Sequence, residues 1–228
     1  MSSAILFFSL LGGVLPALLW LWFWLKEDRL HPEPRSLIML SFGAGMVAVF
    51  LALPLEQYLK GAIANMTLVI IGWAVVEETL KYAGAHFAAL RNRENDEPID
   101  SLIYLITVAL GFAAMENVLF ISGAISQGGF LAGLDLGLLR FIGSSLLHIT
   151  SSGAIGFFLA IGFYRRGAVK KIERIIGLCT AIILHTLFNL YILKGNGDGS
   201  FTLTIFSFVW VGIILLFVAF EKVKQLRR

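Results

Sequence analysis

A chain of 228 residues has room for one domain, or at most two small ones. Its residues are 58% hydrophobic and only 14% charged, with a mean hydropathy of +0.85, which leaves too few charges to coat a soluble core and excludes disordered, collagen-like and disulfide-rich classes. The formal net charge is +3, but the basic residues cluster in short connecting segments, so they report membrane topology rather than nucleic-acid binding.

A transmembrane helix needs about 20 mostly apolar residues. Seven stretches qualify, at 4–25, 36–55, 67–90, 101–124, 138–163, 172–193 and 201–220. The first is too long for a signal-peptide core and lacks a basic leader, so it reads as a helix that stays. The runs are continuous rather than alternating, which rules out a closed barrel. The expected fold is all-α: a polytopic bundle of about seven membrane helices, one domain over 1–228. Orientation follows from the spacers. Lys26, Arg29 and Arg35, then Arg91 and Arg93, then Arg165, Arg166, Lys170, Lys171 and Arg174, then Lys222, Lys224, Arg227 and Arg228 make fourteen of the eighteen basic residues, all in alternate connections on one side. Only Lys60, Arg140 and Lys194 fall on the other side, and Lys81 lies within a span. This bias places the amino terminus outside and the carboxyl terminus in the cytoplasm. The basic loop 164–174 is expected to face anionic lipid, or to serve topology alone.

A charge at mid-bilayer costs about 2.5–3.5 kcal/mol, so intramembrane ionisable residues are the informative ones. The third span carries Glu77, Glu78 and Lys81 in VVEETLKY. The fourth carries Glu116 and Asn117, the fifth His148 followed by Thr150, Ser151 and Ser152, and the sixth His185 and Asn189. The other spans have no mid-span charge. Glu77 and Lys81 are i,i+4, as are His148 and Ser152, and His185 and Asn189, so each helix presents one polar stripe. Lipid cannot satisfy these stripes, and they are expected to face a common interior. Taken alone, Glu77 with Lys81 reads equally well as a neutralised structural pair, and Asn189 as interhelical packing. Together, two histidines and three glutamates exceed what packing needs.

Motifs narrow the chemistry. Neither H-E-x-x-H nor G-x-S-x-G occurs in the chain. A G-x-G-D string at Gly195–Asp198 lies in a polar loop and reads as a turn, and Cys179 reads as packing. There remains a glutamate–histidine site. A carboxylate takes a proton from water, a histidine or a metal orients that water, and Asn189 donates to the developing oxyanion. Amide hydrolysis is the economical reading. Proton-coupled transport is the rival, because Glu/His chains also build proton relays.

The ordered set Glu77-Glu78-x-x-Lys81, Phe112-x-x-x-Glu116-Asn117, His148, and His185-x-x-x-Asn189 resembles the PrsW family of bacterial intramembrane proteases. The string His31-Pro32-Glu33-Pro34 and Asp100 also look like that family. The likeness runs from about residue 26 to residue 193. It extends more distantly to type II CAAX prenyl endopeptidases and ABI proteins, with two departures. Lys81 stands one residue earlier than their arginine, and Glu116 stands where their second motif has histidine. The resemblance implies a peptidase of the bacterial cell membrane; it does not imply a particular substrate, and a single-pass, anti-sigma-factor-like protein, the kind cut by the family's best-known member, is the candidate. Its site residues would be Glu77, Glu78, Lys81, Glu116, His148, His185 and Asn189. Glu77 would be the base, sharing a water with His148. Glu78 and Lys81 would hold it. Glu116 would be a third ligand or the partner of a histidine, and His185 and Asn189 would stabilise the oxyanion. A metal, if used, would be zinc on His148, His185 and a glutamate, Glu116 being the candidate. At about 1.5 Å per residue, Glu77, Glu116, His148 and His185 all fall between the bilayer centre and its outer third. The cut is therefore expected near the outer end of the substrate's membrane helix.

Overall fold

The computed structural model describes residues 2–26, 31–195 and 199–226. Within them all regular structure is helical, as expected. The helices are α1 (Ser3–Leu25), α2 (Arg35–Ala62), α3 (Met66–Ala85), α4 (Pro98–Ile142), α5 (Ser144–Ile161), α6 (Ala168–Lys194) and α7 (Gly199–Lys224). Arg29, Arg227, Arg228 and 196–198, most of the G-x-G-D string, lie outside the described residues.

Five segments are long and apolar enough to cross a membrane: Ser3–Leu25, Arg35–Ala62, Pro98–Ile161, Ala168–Lys194 and Phe201–Lys224. Two differences from the expected spans bear on the site. The expected third span, α3, is not among the five; it carries Glu77, Glu78 and Lys81 and owes its place to neighbouring helices. The expected fourth and fifth spans form one 64-residue segment folded back on itself. The expected connection 125–137 is helical on both sides of Gly129, whose φ of 81° suits a residue without a Cβ. There the chain reverses. A Cβ at Gly133 would strike Ile125, one at Gly137 would lie 3.3 Å from Ile121, and Arg140 reaches Asn117. The contact pairs 133–125, 137–121 and 140–117 share one pivot at Gly129.

The first arm of this hairpin is the centre of the molecule. It starts sharply, with Pro98 at its first position and a reciprocal cap between Glu97 and Asp100. Every residue from Pro98 to Ala114 is buried. Helices α1, α2 and α5 pack around it. Helix α2 comes closest, because Gly45 and Gly111 each face the other helix's backbone, where a Cβ would strike Val108 O or Phe42 O. Small residues at such crossings replace the hydrophobic drive that lipid removes. The outward faces of α1, α2, α6 and α7 carry exposed Leu, Phe, Ile and Val, as a lipid-facing surface should. Helix α3 begins at Asn65, whose Oδ1 accepts from Thr67 N at 2.9 Å and Leu68 N at 3.3 Å. It packs between α2 and α6 and ends in a π-helical turn, His86–Leu90.

Candidate functional site

Four helices deliver polar side chains to one buried cluster. Helix α3 brings Glu77, Glu78 and Lys81, α4 brings Glu116 and Asn117, α5 brings His148, Ser151 and Ser152, and α6 brings His185. The i,i+3 step between Glu78 and Lys81 lets them pair on one face, with Lys81 Nζ 2.5 Å from Glu78 Oε1 and both side chains fully buried. Glu78 is saturated. Its Oε1 also accepts from His185 Nδ1 at 2.7 Å and Ser151 Oγ at 3.0 Å, and its Oε2 from Ser152 Oγ at 3.3 Å.

A second chain of contacts runs the other way from Lys81. Its ammonium donates to His148 Nδ1 at 3.0 Å, and His148 Nε2 lies 2.9 Å from Glu116 Oε2. An ammonium has no lone pair, so Nδ1 accepts, and the ring proton sits on Nε2 and is donated to Glu116. Glu116 is held in turn by Arg140 Nη2 at 2.6 Å. Arg140 Nε donates to Asn117 Oδ1 at 2.5 Å, and Asn117 Nδ2 donates to Ser145 Oγ at 3.1 Å. The guanidinium lies 4.2 Å from the centre of the Phe120 ring.

Glu77 is the exception. It is 6% exposed, and its Oε2 is buried with no hydrogen-bond partner. The nearest base is His185 Nε2, at 3.7 Å. Because His185 Nδ1 gives its proton to Glu78, the Nε2 lone pair faces Glu77. Two open donor atoms thus lie close enough to share one ligand. The His148 and His185 rings meet edge-on at 5.2 Å, and donor atoms of Glu77, His148 and His185 lie within 4.8 Å of one another.

That donor set fits a metal. Two histidines and a glutamate, with a fourth position left for water, are the ligands of catalytic zinc sites. The Glu78–His185 bond is the usual outer partner that aims a ligating imidazole. His148 would have to release Lys81 or Glu116 to coordinate. The charge count agrees: Glu77, Glu78 and Glu116 face Lys81 and Arg140, and the odd carboxylate is the one without a partner. The glutamate grouped with the histidines is Glu77, whereas Glu116, the expected ligand, is held by Arg140 and His148.

The structure therefore brings together Glu77, Glu78, Lys81, Glu116, His148 and His185. Asn189, one turn beyond His185, is half-buried and makes no side-chain hydrogen bond among the described residues. Sequence reasoning missed Arg140, which it counted on the outer side at the start of the fifth span. The signal was an arginine with Gly133 and Gly137 seven and three residues before it, on one helical face. It also missed Glu56. Helix α2 runs two turns past the expected end of its span and includes this half-buried residue, whose backbone carbonyl accepts from Trp73 Nε1 at 3.0 Å.

Comparison with known proteins bears on the same residues. The family model described as "PrsW family intramembrane metalloprotease" matches residues 33–220. A Protease PrsW of Geobacillus kaustophilus is 30% identical over 171 residues, covering 72% of this chain and 70% of that protein. Protease PrsW of Halalkalibacterium halodurans is 26% identical, covering 95% and 96%, and that of Bacillus subtilis is 25% identical, covering 92% and 88%. No solved structure gives a significant match.

Proposed function

This chain belongs to the PrsW family of intramembrane metalloproteases, a peptidase with several membrane-spanning helices, and on that premise we propose that it cuts a single-pass membrane protein with a water activated at Glu77. The observation that carries this reading is the orphaned Glu77 Oε2 facing the free Nε2 of His185 at 3.7 Å. A water bridging both from the side would find a proton acceptor in one and a second lone pair in the other. Glu78 is the poorer base, because Lys81, His185 and Ser151 donate to its Oε1 and Ser152 to its Oε2.

The residues then divide as follows. Glu77 takes the proton of the attacking water and passes it to the leaving amide nitrogen. Glu78 fixes the His185 ring. Lys81 neutralises Glu78 and donates to His148, which fixes the His148 tautomer. Asn189 stands one turn from His185, where a half-buried amide could donate to the oxyanion once substrate is seated. One carboxylate oxygen of Glu77, with His185 and His148, would hold a zinc ion, which when bound would lower the pKa of its water and polarise the scissile carbonyl, the other oxygen of Glu77 being left to take the proton. Glu116 acts on His148 and not on the water.

The family relation favours hydrolysis over the proton relay that the same residues would also suit. An anti-sigma-factor-like protein is the candidate substrate. The basic bias of alternate connections supports an outward amino terminus in a bacterial cell membrane, with the cut near the outer end of the substrate helix. The test is cleavage in lipid nanodiscs of a reporter made of one apolar 20-residue helix flanked by a fluorophore and a quencher. Wild type should cut the reporter and Glu77→Gln should not. A Glu77→Gln variant cutting at the wild-type rate ends this assignment. Proton flux without fragments would revive the relay.

A further inference from the structure

Arg140 is the one site cation that neither the motifs nor the chemistry above requires. Its place is built with some care. Gly129 adopts a φ of 81° and turns the helix back. Gly133 and Gly137 then let the return arm lie directly on Ile125 and Ile121. Arg140 is one turn beyond Gly137 on the same face, so this register carries it to the level of Glu116 and Asn117. There its fork is used twice, Nη2 on Glu116 Oε2 at 2.6 Å and Nε on Asn117 Oδ1 at 2.5 Å. Its side chain is only 13% exposed. Its face stacks on Phe120. A cation sunk into an apolar hairpin, with both prongs and a face committed, is more than a topology marker.

We infer that Arg140 is a positioning residue: its fork fixes the Glu116 carboxylate against His148 Nε2 and thereby fixes the imidazole that faces Glu77 and His185. This deepens the hydrolytic reading and rests on it. The chain of contacts is continuous, Arg140 to Glu116 to His148 to Lys81, each step 3.0 Å or shorter. Without Arg140, Glu116 would sit largely buried with no cation in contact. It would then turn away from its place, and that withdraws the acceptor that holds His148 Nε2–H. A lysine supplies the charge but one point of contact, so it cannot hold Glu116 and Asn117 together.

The test uses the full chain in nanodiscs with the same fluorogenic single-helix reporter. Arg140→Gln should lower kcat by about 10–100-fold, the usual loss when an outer partner of a site histidine is removed, while KM stays close to wild type. Arg140→Lys should recover part of that loss. The exchange Glu116→Arg with Arg140→Glu restores an ion pair and the melting temperature. It should not restore cleavage, because an arginine then faces His148. Wild-type kcat in Arg140→Gln, or cleavage restored by the exchange, overturns the inference. If Arg140→Gln does not fold, Arg140→Lys decides, since wild-type kcat there overturns it equally. A second readout needs no turnover. The His148 ring nitrogen-15 signals, assigned by difference with His148→Gln, should move in the Arg140 variants, and unchanged signals overturn the inference. A wild type that leaves the reporter uncut counts against the protease reading, and the nitrogen-15 arm still decides the role of Arg140.

Discussion

Adjacent glutamates with opposite surroundings should fail in opposite ways. Glu78 is fully buried, paired with Lys81 and bonded by His185, Ser151 and Ser152. Glu78→Gln keeps the shape and removes the charge, leaving the fully buried Lys81 ammonium without its contact anion. Breaking one side of a buried ion pair costs about 3–5 kcal/mol. At about 2–4 °C per kcal/mol for a chain of this size, the melting temperature should fall by roughly 6–20 °C. Glu77→Gln removes no hydrogen bond from Oε2, since none is made. Compared in metal-free protein, its cost should stay below about 1 kcal/mol, a shift of a few degrees at most, while cleavage by the metal-loaded protein is lost. Adding Lys81→Met to Glu78→Gln removes the stranded cation and should recover most of the stability but not the activity, because His185 keeps a weaker anchor. Melting is followed by the helical circular dichroism of protein in nanodiscs, and activity by the single-helix reporter. Equal melting shifts in the two single variants would refute the separation of a structural from a chemical glutamate.

Metal content is the next measurement: purified protein should carry close to one zinc, lost in Glu77→Ala and His185→Ala, and full activity in chelator-treated, metal-free protein would refute the ligand set. Gly133→Leu should force the hairpin arms apart at Ile125 and lower kcat in the manner of Arg140→Gln; wild-type kcat would show that the register does not matter. Asn189→Ala should lower kcat by about 10²–10³-fold if it donates to the oxyanion, and a change confined to stability would assign it to packing. For orientation, single cysteines at Thr67, Ser126 and Leu193 in a Cys179→Ala background should react with impermeant thiol reagents from outside; labelling only from the cytoplasm would reverse the topology. Leu138 is a poorer reporter, because it lies on the return arm of the hairpin.

The composition made the membrane legible, and the cost of burying charge made the site legible. Glu77, Glu78, Lys81, Glu116, His148 and His185 stood out because lipid offers each of them nothing, and the structure gathers all six. What escaped depended on where the chain turns. Residues 125–137 are glycine-rich and less apolar than their flanks, which reads as a loop in a linear scan. Folded, the same glycines are the contact surface of a hairpin, and they carry Arg140 inward. Glu56 escaped for a related reason. Apolarity falls off before α2 does, so a hydropathy boundary at 55 ends a span where hydrogen bonding continues to Ala62. The roles of Glu77 and Glu78 were also beyond the sequence. Both precede Lys81 at helical spacing, and only the partners around each carboxylate separate them.

Charge balance ties these details together. A site that must activate water inside a bilayer needs a carboxylate free to take a proton, yet every lone buried charge is expensive. This protein surrounds the free carboxylate with two that are neutralised. Lys81 answers Glu78, and Arg140 answers Glu116. The two neutralised carboxylates are then spent on the histidines, Glu78 on His185 Nδ1 and Glu116 on His148 Nε2. Of these three glutamates, Glu77 is left as the one whose charge is not cancelled by a protein cation in contact. It therefore requires a proton, a water or a metal from outside the chain. Removing Lys81 or Arg140 would produce a second such group and divide that requirement between two places. On this reasoning the unlike cations on α3 and on the return arm of the hairpin do one job: of the three glutamates beside the histidines, they leave Glu77 the open one.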